Sequence, residues 1–273
     1  DLLIVVGDVN STLACSLVAS KMGVKIAHVE AGLRSGNWAM PEEVNRVLTD
    51  HMSDYLFTTS EYANKNLQKE GFVKDKVFFV GNVMIDTLLK NKKKSDSSNI
   101  LNNLDIVGQD FILVTLHRPS NVDSLDDLKK YISFFGKLSN SIKVIFSIHP
   151  RTKNKLKNTE LWEELIIKNN ILLIDALGYI DFIKVLSSSK IVITDSGGIQ
   201  EEATVLGTPC ITLRQETERP ETVNVGTNKI VGNDIALAEK LVEDFLSNPV
   251  QFSVPKLWDC LLYTSPSPRD KRQ

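Results

Sequence analysis

Short runs of aliphatic and β-branched residues recur along the chain. Each is followed by a polar or glycine-bearing turn and then by a longer stretch of mixed character. Leu2 to Val6 is the first such run; it reads as a buried strand ending in Gly7-Asp8-Val9-Asn10-Ser11-Thr12. The pattern predicts a helix from about Ser11 to Met22, with Gly23 at its end, and a strand from Lys25 to Val29 that runs into Glu30-Ala31-Gly32-Leu33-Arg34. Met40-Pro41-Glu42-Glu43 opens a further helix, because proline suits the first helical position and acidic side chains favour the positive helix end. Asp54 to Thr58 and Lys76 to Val80 read as short strands.

The alternation restarts after Lys90 to Asn103, a lysine- and serine-rich stretch that reads as a solvated interdomain linker. Strands are predicted at Phe111–Thr115, Lys143–Ile148, Ile171–Ile174, Lys190–Thr194 and Pro209–Leu213, with helices near Leu125–Leu138 and Asp181–Ser187. Strands alternating with helices of about a dozen residues argue for an α/β fold with parallel sheets and right-handed crossovers. Two such blocks predict two Rossmann-like domains with a ligand between them. The expected division is 1–98 for a partial N-terminal domain plus linker, 99–255 for the C-terminal domain and 256–273 for a tail.

Composition narrows the partners. The chain has 273 residues, 42% hydrophobic and 24% charged, as expected of a globular protein with a real core. A formal net charge of −2 gives no electrostatic reason to expect nucleic acid or an anionic membrane. No apolar stretch reaches the roughly 20 residues that span a bilayer, and the chain is expected to be cytoplasmic. The three cysteines are too few and too scattered for a disulfide framework or a zinc site, and Cys15 and Cys210 are expected to be reduced core residues.

The candidate chemistry gathers where strands end. Thr194-Asp195-Ser196-Gly197-Gly198-Ile199-Gln200-Glu201-Glu202 reads as a strand end, a tight turn and a helix start. Glycines let a ligand approach the backbone, and the amides and dipole of the helix N-terminus favour a phosphate. Glu202, one turn into that helix, suits ribose hydroxyls. The same stretch also fits a glycine-rich corner with an N-cap serine. Arg214 to Glu221 is a second polar loop just past the next strand. Asp8, Glu30, His117, Arg118 and His149 also lie at strand ends, the edge where ligands sit in open α/β sheets. Asp8 also suits a helix cap, though Asn10 and Ser11 are good caps too; Glu42 and Glu43 suit a helix dipole, and His149 suits a loop, whereas His117-Arg118 suits an anion.

Together Gly7-Asp8, His28-Val29-Glu30-Ala31-Gly32-Leu33-Arg34, Pro41-Glu42-Glu43-x-Asn45-Arg46, His117-Arg118, Asp195 to Glu202 and Glu218-Arg219-Pro220-Glu221 closely resemble the non-hydrolysing UDP-N-acetylglucosamine 2-epimerases. The resemblance runs from the first residue to about Trp258. It implies a GT-B-like fold of two Rossmann-like domains and interconversion of UDP-GlcNAc with UDP-ManNAc for polysaccharide biosynthesis. The implied route eliminates UDP to give 2-acetamidoglucal and adds it back with the C2 proton on the other face. Asp8, Glu30 and Glu42 match the family's catalytic carboxylates, expected to have raised, coupled pKa values. His117, counted with the catalytic set, and Arg118 match positions that meet the leaving diphosphate. Ser196 with Gly197 and Gly198 matches phosphate binding, Glu202 the ribose, Phe182 a position near the uracil, and Arg219 the substrate site. The resemblance implies no metal and no cofactor, a UDP-sugar as partner, and a homodimer at full length.

Departures from the family pattern set further expectations. The family's opening strand and Gly-Thr-Arg-Pro-Glu loop are missing before Asp1, so the N-terminal sheet is expected to be incomplete and the chain as given inactive. Residues 260–273 lack the family's glycine and helical periodicity and read as foreign sequence. The alternatives are a hydrolysing 2-epimerase, a GT-B glycosyltransferase, or a nucleotide-sugar-binding domain without chemistry; the full carboxylate set argues against binding alone.

Overall fold

The structure, a computed structural model, describes residues 1–167, 170–249, 251–255 and 258. Residues 260–273, read above as foreign, lie outside the described residues. The chain divides into two compact units. The first holds residues 1–86 and 217–221, with Pro255 and Trp258; the second holds 87–216 and 222–254.

The first unit runs β1 (Leu2–Val6), α1 (Asn10–Lys21), β2 (Lys25–Ala31), α2 (Pro41–Met52), β3 (Tyr55–Thr58), α3 (Glu61–Lys69) and β4 (Val77–Phe79), and the start of α4 (Val83–Ser95). Its four strands form a parallel sheet in the order β1-β2-β3-β4. Pro41 occupies the first turn of α2, with Glu42 and Glu43 beside it. One small cluster packs Val5 and Ile26 on Ala19 of α1, and another packs Ala31 and Leu56 on Leu67 of α3.

The second unit continues with α5 (Ile100–Asn103), β5 (Phe111–Thr115), α6 (Pro119–Val122), α7 (Leu125–Leu138), β6 (Lys143–Ile148), α8 (Pro150–Leu156), α9 (Glu160–Ile167) and β7 (Ile171–Asp175). After these come α10 (Tyr179–Ser188), β8 (Ile191–Thr194), α11 (Gly197–Leu206), β9 (Cys210–Thr212), α12 (Pro220–Asn224), β10 (Asn228–Ile230) and α13 (Ile235–Ser247). Its parallel sheet has the order β10-β9-β8-β5-β6-β7. Counted outward from β5, this is the doubly wound arrangement in which the strand order reverses between β5 and β8. Alternate residues of β5 serve opposite faces, as a pleated strand requires. Ile112 and Val114 join a core with Phe134 and Phe135 of α7 and Val242 of α13, while Phe111 and Leu113 join Val185 and Leu186 of α10. Burying each such side chain contributes about 1.5–3 kcal/mol.

Three expectations are corrected. β1 is not a buried strand: it is an edge strand, and its alternate residues Leu2, Ile4 and Val6 are exposed. Cys15 is exposed, because the inward stripe of α1 consists of Thr12, Ser16 and Ala19; Cys210 is buried as expected. The stretch 90–103 is largely helical, with α4 running through Ser95 and α5 following. Ile85 and Leu88 supply the buried face of α4, while Lys92, Lys93 and Lys94 sit in its last turn, where cations meet the negative helix end.

Candidate functional site

Within the first unit, the carboxyl ends of β1 and β2 lie side by side, Val6 opposite Val29. Gly7 turns the chain with φ +68°, donating its N–H to the Val29 carbonyl at 3.0 Å. Asp8 follows but does not cap α1, whose N-cap is Val9. Its carboxylate instead accepts from Arg46 Nε at 2.9 Å and Nη2 at 2.7 Å. Arg46, one turn into α2 and buried, also pairs with Glu43 at 2.7 Å and approaches Glu218 at 3.5 Å. Asn45 fixes the Asp8 turn by donating to the Asp8 carbonyl at 2.8 Å. A cleft of about 440 Å³ opens here, lined by Asp8, Val9, Asn10, Ser11, Pro41, Glu42 and Asn45.

Glu30 sits in an irregularity of β2, where the register against β3 shifts between Val29 and Ala31. Its φ of +71° lies in the left-handed region, unusual for a long side chain. A Cβ placed on Gly7 would meet Glu30 Oε2 at 3.4 Å, so the carboxyl lies against the Gly7-Asp8 turn. Burial pushes the Glu30 pKa upward, the Arg219 guanidinium opposes this, and the Asp8 charge adds to the rise. Glu43 behaves oppositely. Burial acts upward on it too, but the amides of Ser35 and Gly36, at 2.9 and 2.8 Å, and Arg46 hold it below the usual glutamate range. Glu43 thereby anchors the loop leading into α2 rather than serving only the helix dipole. Arg219 pairs with Glu218, and both belong to this first unit.

The site of the second unit lies at its switch point. Thr115 at the end of β5 is level with Thr194 at the end of β8, their hydroxyls 2.7 Å apart. The residues that follow are therefore neighbours. Asp195 is fully buried and accepts from the His117 amide at 3.0 Å, the Arg118 amide at 2.8 Å and Asn121 Nδ2 at 3.1 Å. His117 Nδ1 lies 2.9 Å from the same carboxylate. A carboxylate only accepts, so Nδ1 carries the hydrogen and Nε2 is the ring's outward atom. Burial acts upward on the Asp195 pKa, but these donors hold it below the usual range.

Ser196 is the N-cap of α11, yet its side chain makes no capping bond. Gly198 faces open space, with nothing within 4 Å of where a Cβ would stand. The first amides of α11 thus offer donors in a place a phosphate can approach. Glu202, buried one turn on, accepts from the Tyr179 hydroxyl at 2.9 Å, and burial raises its pKa. Phe182 of α10 is partly buried against the core cluster of Val185 and Leu186, so the structure gives it a packing role. His149 caps α8 by accepting from the Arg151 amide at 3.2 Å, and its ring lies 5.4 Å from that of His117.

The structure thus gathers Asp8, Glu30, Glu42 and Arg219 in the first unit, and His117, Arg118, Ser196, Gly197, Gly198 and Glu202 in the second. The first set can move protons; the second can hold an anion and hydroxyls. Sequence reasoning passed over His28, Asp50, Arg46, Glu43, Asp195 and Tyr179 as site components. Four of these lie inside motifs already quoted, so proximity was available as a signal; Asp50 and Tyr179 offered none. Among the described residues, no group of three or more His, Cys, Asp or Glu is placed to hold a metal ion, and no helix is long and apolar enough to cross a membrane.

Comparison with known proteins adds a second line. The family model described as UDP-N-acetylglucosamine 2-epimerase matches residues 1–258. The chain is 44% identical over 260 residues to the UDP-N-acetylglucosamine 2-epimerase of Methanocaldococcus jannaschii, covering 93% of this chain and 71% of that one. It is 43% identical over 234 residues to the UDP-2,3-diacetamido-2,3-dideoxy-D-glucuronate 2-epimerase of Pseudomonas aeruginosa, covering 84% and 63%. The crystal structure of the M. jannaschii UDP-GlcNAc 2-epimerase in complex with UDP-GlcNAc and UDP matches with a TM-score of 0.88 at 43% identity, over 96% of this chain and 75% of that one. The fold is accordingly α/β and GT-B-like, with one parallel sheet in each unit.

Proposed function

The chain belongs to the UDP-N-acetylglucosamine 2-epimerase family, an isomerase family, and from that membership we propose that it interconverts UDP-GlcNAc and UDP-ManNAc by inversion at C2. The observation that carries this reading is the carboxylate group of the first unit. Asp8 is clamped by Arg46, Glu30 is held with a raised pKa beside it, and Glu42 lines the same cleft as Asp8. The hydrogen on C2 is not acidic, so simple deprotonation is a poor route to inversion. In the proposed route a carboxylate takes the C2 proton as the C1–O bond breaks, and the bond electrons leave with UDP. The products are 2-acetamidoglucal and UDP. UDP then adds back to C1 while a second carboxyl group delivers a proton to the opposite face of C2. Opposite faces require at least two acid–base groups, one of them protonated, which suits the raised pKa of Glu30.

The second unit would serve the nucleotide. His117 and Arg118 would meet the diphosphate, which gains charge as C1–O breaks. Ser196 and the Gly197 and Gly198 amides would bind phosphate, Glu202 the ribose, and Arg219 of the first unit the substrate. Reaction of the full-length protein in D2O tests the route: deuterium should enter C2 in both sugars, read by NMR. Retention of the original hydrogen overturns elimination, and free ManNAc in place of UDP-ManNAc favours the hydrolysing alternative. A second substrate, a UDP-2,3-diacetamido uronate, is favoured by the Pseudomonas relative; comparison of kcat/KM for the two sugars decides between them.

A further inference from the structure

Glu30 is held in a conformation that its own chain does not prefer. It is the extra residue where β2 slips against β3, and its φ of +71° is otherwise the province of glycine and asparagine. Such a residue persists only when its surroundings over-determine it. The surroundings here are specific. Two residues before Glu30, the fully buried His28 donates from Nε2 to the Gly7 carbonyl at 2.9 Å, while its Nδ1 meets Asp50 Oδ1 at 2.6 Å. Two residues after Glu30, the Gly32 amide donates to Asp50 Oδ2 at 3.0 Å. Arg34 Nη2 reaches the same oxygen at 2.7 Å and is itself held by Glu70.

We propose that His28 and Asp50 are positioning residues for the acid–base chemistry, clamping both sides of the Glu30 bulge and the Gly7-Asp8 turn into one arrangement. The proposal rests on the C2-inversion reading above. Neither residue lines the cleft beside Asp8, so both act through the turns they hold. Simple stabilisation does not account for the pair well, since buried polar contacts are often replaceable by apolar residues of similar shape at little loss of stability. What the pair supplies is geometry. Asp50, from α2, ties the chain after Glu30 through Gly32. His28 ties β2 to the end of β1 through Gly7, whose own amide is bonded to Val29. Gly32 adds a stop on the far side, because a Cβ there would stand 2.6 Å from the Ala63 carbonyl oxygen.

Three variants and two readouts test this. His28→Asn keeps a donor near the Asp50 side and loses the Gly7 contact; His28→Gln keeps a donor near Gly7; Asp50→Asn removes the charge that both turns share. In the full-length protein with the UDP-sugar as substrate, His28→Asn and Asp50→Asn are expected to lower kcat by about 10- to 100-fold, as small misplacements of reacting groups do, with KM and UDP affinity within about twofold. His28→Gln is expected to recover part of the loss. In a Glu30→Gln background the same substitutions should add little, because they act through the side chain already removed. Full kcat in folded variants, or an undiminished further loss in the Glu30→Gln background, overturns the proposal.

The second readout needs no turnover. Hydrogen exchange at the amides of residues 29–33 should accelerate in His28→Asn and Asp50→Asn under conditions where the rest of the sheet stays protected. Unchanged protection there means that the pair does not hold the bulge. If one variant fails to fold, the remaining two carry both readouts. A wild type that forms no UDP-ManNAc from UDP-GlcNAc defeats the C2-inversion reading, while the exchange experiment still decides the clamp.

Discussion

The two units end their parallel sheets in opposite ways. At the carboxyl ends of β1 and β2, the first unit collects carboxylates: Asp8, Glu30 and Glu42, with Arg46 and Arg219 among them. At the carboxyl ends of β5 and β8, the second unit buries Asp195 and uses it to aim donors. Asp195 holds the His117 ring and the two amides after β5, and the start of α11, open beside Gly198, adds further amides. In the proposed reading, the same strand-end geometry would serve acid–base chemistry in one unit and anion binding in the other. What differs is that Asp8 and Glu42 line a cleft, whereas Asp195 lies beneath the donors it holds.

The largest effect that can break this comparison is on turnover. In the full-length protein, Asp8→Asn, Glu30→Gln and Glu42→Gln should each lower kcat by about 10²-fold or more, as loss of general acid–base groups does. UDP affinity, measured by calorimetry, should stay close to wild type. A fully active Glu30→Gln would remove the strongest case for chemistry in the first unit.

The mirror experiment lies in the second unit. Ser196→Ala and Glu202→Ala should weaken UDP binding by about 1–3 kcal/mol, the scale of lost charge-assisted hydrogen bonds. The catalytic step should be affected less. Should either variant lose turnover with unchanged UDP affinity, the division of labour between the units fails.

How far the sequence reached follows from what it encodes locally. The alternation of strands and helices, Pro41 at the start of α2, and Ser196 at the start of α11 all depend on neighbouring residues and were legible. The switch point was only half legible, because two strand-end motifs, His117-Arg118 and Asp195-Ser196, are visible in sequence while their adjacency comes from the pairing of β5 with β8. Asp195 looked like part of a glycine-rich turn, and its partners stand 77 and 78 residues earlier in the chain. His28 looked like a strand residue, because nothing local announces Asp50, 22 residues on. The helix at 83–95 was hidden by its lysines, which mark a solvated last turn as readily as a linker. Phe182 shows the reverse limit: an aromatic assigned to the uracil by resemblance is packed in part against the core.

Charge state gives a subtler contrast, read from stability against pH. The pKa of Asp195 is lowered by folding, so its contribution is present above its ordinary value of 3.8 and is lost as pH falls through the depressed one. Glu30 and Glu202 are raised, so theirs is fully present below 4.5 and is lost as pH rises through the raised values. Urea midpoints measured from about pH 3 to pH 8 should therefore show opposite corrections. Asp195→Asn should cost most stability near neutral pH and least in acid. Glu30→Gln should gain on wild type near neutrality and lose that advantage below 4.5. Parallel curves for the two variants would mean that the buried carboxylates do not differ in the way the two sites require.

The smallest effect concerns the backbone under Glu30. Asp105 and Asn158 of the second unit also have positive φ, 52° and 66°, but short polar side chains tolerate that region. Glu30 does not share the excuse. Comparing Glu30→Gly with Glu30→Ala removes the carboxylate in both and leaves only the cost of the left-handed conformation. Glycine should be the more stable of the two by about 1 kcal/mol, reversing its usual disadvantage in a strand. Both variants should be catalytically poor, so the gain would appear in denaturation curves and not in turnover. Equal stability would mean that the bulge carries no strain. His28 and Asp50 would then be holding a conformation that the chain adopts unaided, and the asymmetry between a strained acid in one unit and relaxed donors in the other would disappear.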